Sequence, residues 1–266
     1  MITSTLYAEN YNATEKVVIN QGGTWSGKTY AILEVLLTKA LERPNTTVTV
    51  TAQDRPSLKR DAHRAFQRIV TEQGFKDYVK EFNKTELMYT LVNGSVIEFV
   101  SYEDEEDAKQ GKRHYLFINE ATREDYYVAW QLMIRTEFQT FIDYNPTSSF
   151  WVHDKFQGQP EARFIYSDHR HNQFLSEAQH NEIESIKDPE LWRVYARGAT
   201  GNIIGTIYPN WTQRDWQPCE EVIWGVDYGY TTDPTAIVKI GILERRTAQI
   251  KEICYTPGLS ADTIKD

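Results

Sequence analysis

Eight consecutive residues constrain this chain more than any others: Gly22-Gly23-Thr24-Trp25-Ser26-Gly27-Lys28-Thr29. They satisfy the pattern G-x-x-x-x-G-K-[ST], and both flanks suit it. Val17 to Asn20 is a short apolar run that predicts a strand before the loop. After it, Ile32, Leu33, Leu36, Leu37 and Ala40 recur at helical spacing through Tyr30 to Glu42. Glycines at such a strand-to-helix turn let backbone N–H groups converge on phosphate oxygens, and the helix N-terminus adds partial positive charge. Lys28 is predicted to reach the β- and γ-phosphates, and the Thr29 hydroxyl to ligate Mg²⁺. ATP and Mg²⁺ are the implied ligands.

The rest of the chain alternates strands and helices. Thr46 to Ala52 reads as a strand, and Ser57 to Glu72 as one helix carrying Lys59, Arg60, Arg64 and Arg68. Asn93-Gly94 between Leu87–Val92 and Ser95–Val100 predicts a hairpin with a type I′ turn. Tyr115 to Ile118 and Phe138 to Asp143 read as strands flanking a helix over Glu124 to Arg135. Arg163 to Tyr166 reads as a strand, and Ser176–Ile186 and Pro189–Arg197 as helices. After a glycine-rich stretch come three strands in succession, Val222–Val226, Thr235–Ile240 and Gln249–Tyr255. The expected organisation is an α/β domain over 1–198, a linker over 199–219, and a strand-first domain from 220 to 266.

Three further segments carry chemistry. Tyr115-Leu116-Phe117-Ile118-Asn119-Glu120-Ala121 is an apolar strand ending in polar residues. P-loop ATPases that use a water nucleophile end this strand in Asp-Glu; here Asn119 takes the Asp place. An amide can bond to a metal-bound water but carries no charge, so Mg²⁺ leans on Thr29 and the nucleotide, while Glu120 keeps the base role. Asn145, in Asp143-Tyr144-Asn145-Pro146, could bond the γ-phosphate or its water, or simply start a turn. Asp227 ends the strand Ile223-Trp224-Gly225-Val226, where it suits either a two-metal nuclease or a turn.

The order of these pieces resembles the large subunit of tailed-phage terminases, the motors that package viral DNA into empty capsids. It consists of the phosphate loop, Phe-Ile-Asn-Glu-Ala, Asp-Tyr-Asn-Pro-Thr, a Gly-x-Ile-Tyr-Pro-Asn-Trp linker and Gly-Val-Asp-Tyr-Gly-Tyr, spanning about Val17 to Ile240. The resemblance implies a P-loop NTPase domain of the additional-strand catalytic-glutamate type, followed by the start of a ribonuclease-H-like nuclease. It implies Glu120 as catalytic glutamate, Asn145 as a coupling residue, and Thr29 and Asn119 at the ATPase metal. Asp227 would be the first metal-binding acid of the nuclease, which would take Mg²⁺ or Mn²⁺. Gln21, and the segment around Tyr11, would help seat adenine. The implied partners are double-stranded DNA, the portal protein, the small terminase subunit and further copies in a ring, docked at the procapsid portal in the host cytoplasm.

Many terminases carry an arginine inside the phosphate loop, where this chain has Thr24-Trp25. A charge-stabilising cation must then come from elsewhere, and Lys109, Lys112, Arg113, Arg55 and Arg60 are the candidates. With 38 acids against 29 bases, the net charge of −9 excludes a protein that coats DNA by bulk charge but not a local basic face. Arg60, Arg64 and Arg68 could form one. No apolar run approaches the ~18–20 residues that span a bilayer. Two cysteines cannot build a disulfide framework, which points to a reducing compartment. A two-metal site needs acids beyond Asp227, so the 266-residue form is expected to lack nuclease activity. Two other readings remain: another P-loop machine such as a helicase or recombination ATPase, or a truncated nucleotide-binding docking subunit inactive on its own.

Overall fold

Val17–Gly22 forms β1, and all six of its residues are buried. A strand buried on both faces belongs inside a sheet covered by helices. The computed structural model, which describes residues 4–102, 105–109, 111–201, 214–229, 234–244 and 247–257, shows such a sheet. Around β1 the chain runs α1 (Thr5–Tyr11), α2 (Lys28–Glu42), β2 (Thr47–Thr51), α3 (Arg55–Arg60) and α4 (Ala62–Glu72). Then follow β3 (Val79–Asn83), β4 (Met88–Leu91), β5 (Val96–Phe99), α5 (Glu105–Ala108) and β6 (Arg113–Ile118). Next come α6 (Tyr126–Ile134), β7 (Thr136–Tyr144), α7 (Trp151–Phe156), β8 (Ala162–Ser167) and α8 (Glu177–Glu184).

The eight strands lie in the order β3-β4-β5-β2-β6-β7-β1-β8. Pairing is parallel from β5 to β8 and antiparallel only for β3, β4 and β5. β7 is thus inserted between the strand entering the phosphate loop and the strand leading to Glu120. This is the additional-strand arrangement that the resemblance implies. Period-2 alternation sends neighbours to opposite faces. Phe117 and Phe141 join a core with Ile32, Leu36 and Phe66, while Leu116, Ile118 and Ile142 join another with Val128, Leu132 and Val152.

Some local expectations change. The hairpin at Asn93-Gly94 forms, but its turn is not type I′, since only Gly94 has positive φ, at 82°. Gly94 N–H donates to Leu91 C=O, and Leu91 N–H to Ser95 C=O. That is the three-residue loop in which a type I turn is closed by a left-handed residue. The helix expected over Ser57–Glu72 is two helices, broken at Asp61 (φ −103°, ψ −86°). Apolar positions 58, 62, 66 and 69 keep helical spacing across the break, so periodicity does not mark it. Beyond α8, the second expected helix becomes one turn at Pro189–Leu191 and a widened turn over Trp192–Ala196.

The chain divides into two compact units, Met1–Gly205 and Thr206–Asp266. In the second, β9 (Glu221–Asp227), β10 (Pro234–Glu244) and β11 (Thr247–Pro257) form an antiparallel sheet in the order β11-β10-β9. Both cysteines are free. The Ile-Tyr-Pro-Asn-Trp stretch of the expected linker lies outside the described residues.

Glu34 sits in the buried middle of α2, 2% exposed, with Oε1 lacking a hydrogen-bond partner. Desolvation raises its pKa from 4.5 to about 7. The folded state therefore binds the proton more tightly than the unfolded chain, and stability falls as pH rises from about 4.5 to about 7. The penalty above that window is on the order of 3 kcal/mol. Glu34→Gln is expected to raise the melting temperature at pH 8 and leave it nearly unchanged at pH 5. Equal shifts at both pH values would contradict this.

Candidate nucleotide-binding and catalytic site

β1 delivers the chain to the loop at the C-terminal edge of the parallel sheet, where helix N-termini gather. The loop is held from behind. Gly23 N–H donates to Ser167 C=O at 3.0 Å, and Thr24 N–H to Tyr195 C=O at 2.9 Å. A Cβ on Gly23 would lie 2.3 Å from the Tyr195 oxygen, so only glycine fits that approach. Gly27 adopts the left-handed region (φ 86°) as the N-cap of α2, with no side-chain cap. The first-turn N–H groups of a fifteen-residue helix thus face the loop without side-chain partners, which suits a phosphate. Ser26 Oγ is also buried without a partner.

Four elements converge here. Lys28 Nζ, at the start of α2, donates to Asn145 Oδ1 at 2.7 Å and to Gly23 C=O at 3.4 Å. The phosphate loop is thereby bonded to the residue following β7. Burial lowers the Lys28 pKa, against the opposing pull of Asp143 and Glu120. Asn119 and Glu120 follow β6, whose register pairs Ile118 with Ile142 and so sets them beside Asp143. Asp143 Oδ1 accepts from Asn119 Nδ2 and from Glu120 N–H, both at 2.9 Å, and Oδ2 accepts from the Thr29 hydroxyl.

Glu120 occupies the left-handed region, φ 54° and ψ 50°, a conformation that costs a non-glycine residue energy and so points to a functional constraint. Its carboxyl is half-buried, and desolvation, followed by Asp143, raises its pKa, with Arg123 and Lys28 opposing. It lines a cavity of about 330 Å³ with Arg123, Asn145, Thr147, Ser148 and Tyr195. The site thus offers phosphate donors, a raised-pKa carboxylate and, on the carboxylate's side, a cavity that no residue of the Gly22–Thr29 loop lines.

Other candidates lie elsewhere. Gln21 is buried, its amide donating to Gly198 C=O (2.9 Å) and Thr200 Oγ1 (3.2 Å) and accepting from Tyr144 O–H. It ties β1 to the segment behind the loop. Tyr11 donates to Glu42 at 2.7 Å, at the far end of α2 and roughly 21 Å along the helix from Lys28. That distance removes Tyr11 from any adenine seat. Arg113 is 3% exposed at the opposite end of β6 from Glu120, with its guanidinium over Tyr102. Burial there corrects its candidacy as the charge-stabilising cation. Lys109 pairs with Glu106, and Arg55 donates to Thr85 C=O. Asp227 is exposed at the end of β9, and among the described residues no group of three or more His, Cys, Asp or Glu side chains is placed to hold a metal ion.

Two side chains were not singled out in the sequence. Arg123, three residues after Glu120, is the arginine that lines the cavity. Asp143 touches Thr29, Asn119 and the Glu120 backbone together.

A family model described as terminase large subunit, T4likevirus-type, N-terminal, matches residues 20–212. Among solved structures, the chain is similar to the large terminase of a thermophilic bacteriophage in complex with ADP. That match has a TM-score of 0.67 and 15% identity over 94% of this chain and 69% of that one. It is similar to the large terminase ATPase domain of Thermus phage P74-26, at a TM-score of 0.57 and 12% identity, covering 73% of this chain and 92% of that one. The HK97 bacteriophage large terminase aligns over 93% of this chain and 60% of that one, at a TM-score of 0.53 and 13% identity. At such identities the structures establish a common fold. No curated protein sequence matches.

Proposed function

Because the chain belongs to the T4likevirus-type large terminase subunits, matching the N-terminal family segment over residues 20–212, we propose that it hydrolyses ATP to drive double-stranded DNA into a procapsid. The observation that supports this most is the meeting of Lys28, Thr29, Asn119, Glu120 and Asn145 at one sheet edge. The nucleotide complexes of the thermophilic phage relative, with ADP and with ATP-γ-S, agree with it.

In this reading the Gly22–Thr29 loop and the N-terminus of α2 bind the phosphates, and Lys28 neutralises the β- and γ-oxygens. Glu120 accepts a proton from the attacking water, and Arg123 faces the charge that develops on the γ-phosphoryl group. Thr29 and the residues about Asn119 would hold Mg²⁺, which supplies charge neutralisation between the phosphates. The Thr29 hydroxyl and the adjoining carboxylate are a hard-oxygen donor set of the kind Mg²⁺ takes. The γ-phosphate competes with Asn145 for the Lys28 ammonium. Nucleotide state is thereby transmitted to the segment after β7.

DNA is gripped through its phosphates, since a packaging motor must pass any sequence. Arg64 and Arg68, exposed one turn apart on α4, offer such a face, with Arg60 on α3 beyond the break at Asp61. The proposed setting is a ring of copies at the portal vertex in the host cytoplasm, with the portal protein and small subunit as partners. No helix of the described residues is long and apolar enough to cross a membrane. We further propose that the β9–β11 sheet, with Asp227 at a strand end, belongs to a ribonuclease-H-like nuclease. Metal-dependent plasmid nicking that is unchanged in Asp227→Ala would contradict the role of Asp227.

Linear duplex DNA is expected to raise ATP turnover, with the stimulation falling steeply as salt rises from 50 to 200 mM. Arg64→Glu/Arg68→Glu is expected to reduce the stimulated rate. Turnover indifferent to DNA at low salt would remove the motor reading, and full stimulation in the double variant would remove this face.

A further inference from the structure

We propose that Asp143, on β7, supplies the carboxylate of the metal shell that Asn119, on β6, cannot supply. The proposal rests on the ATP-site reading above. Asp143 is 1% exposed and fixed at both oxygens. A carboxylate buried so deeply is retained only with compensating donors and charge. Its donors are the Thr29 hydroxyl, the Asn119 amide and the Glu120 N–H, which are the groups at the candidate metal and base positions. Its charge acts on buried Lys28.

The chemistry divides between two adjacent strands. Thr29 spends its proton on Asp143, which leaves the hydroxyl lone pairs free for a cation. Asn119 holds Asp143 in place through its amide, while Asp143 carries the negative charge that attracts the cation and orients its water. The β6/β7 register makes the exchange possible, because Asn119 Nδ2 and Asp143 Oδ1 stand 2.9 Å apart. Asp143 is therefore a positioning residue for the metal, and the carboxylate has moved one strand across the sheet.

A charge swap tests this, read by calorimetric titration of ATP-γ-S in EDTA and in Mg²⁺, and by Mn²⁺ binding followed by electron paramagnetic resonance. The wild-type chain should bind ATP-γ-S more tightly with Mg²⁺ than in EDTA. Asp143→Asn should lose about 10-fold or more of that gain and of Mn²⁺ affinity. Asn119→Asp/Asp143→Asn, which returns the charge to β6, should restore the metal dependence. A merely structural Asp143 would not produce that rescue. Wild-type metal dependence in Asp143→Asn, or loss without rescue in a folded double variant, would overturn the proposal and leave the ATP site standing. A wild-type chain that binds no ATP-γ-S under either condition would instead overturn the ATP-site reading itself.

Discussion

Glu120→Gln is expected to lower ATP turnover by ~10²–10⁴-fold, the range a positioned general base contributes, while ATP affinity stays within a few-fold. The amide has the same shape and keeps the Glu120 N–H bond to Asp143, but it cannot accept the proton of water. Burial raises the pKa of the carboxyl and so makes its ionised form a stronger base. The sign follows for pH: Glu120 works deprotonated, so turnover rises with pH through an acid limb above the ordinary value of 4.5. Phosphate-release assays of the variant across pH measure both effects. A Glu120→Gln rate within threefold of wild type would mean that another group activates the water.

Lys28→Ala is expected to weaken ATP binding by ~100-fold, or about 3 kcal/mol, the upper range for charged hydrogen bonds. The ammonium is buried between the Gly23 carbonyl and Asn145 Oδ1. Water does not screen it there, and a phosphate entering the loop stabilises the charged form that burial disfavours. The truncation also releases Asn145, so the segment after β7 should lose its response to nucleotide. Equilibrium titration with ATP-γ-S reads the affinity, and hydrogen exchange over residues 145–150 reads the response. Unchanged affinity in a folded Lys28→Ala chain would place the phosphates elsewhere.

Local patterns were readable along the sequence, because strand, loop and helix at Val17–Glu42 are contiguous there. The same holds for the β4–β5 hairpin and for Glu120 at the end of an apolar strand. Asp143 was not readable as a site residue, since 24 positions separate it from Asn119 and only the β6/β7 register joins them. Reading for Asp-Glu at the end of one strand overlooks a charge delivered by its neighbour. Arg113 looked like any surface cation, and its burial follows from its place at the start of a central strand. Gln21 could equally have faced a ligand. Tyr144 and the Gly198 carbonyl, both distant in sequence, engage its amide. The turn at Gly94 shows the same limit at short range: the dipeptide marks a hairpin, while the hydrogen bonding of Leu91 and Ser95 decides the turn.

The most direct test of the central claim is single-turnover ATP hydrolysis by the wild-type chain at high protein concentration with Mg²⁺, alongside Glu120→Gln and Lys28→Ala. The expected result is phosphate release by the wild type, bound but uncleaved ATP in Glu120→Gln over the same time, and binding weakened ~100-fold with no cleavage in Lys28→Ala. A wild-type chain that binds ATP without releasing phosphate, or equal release by all three proteins, would contradict the assignment of this site as the ATPase.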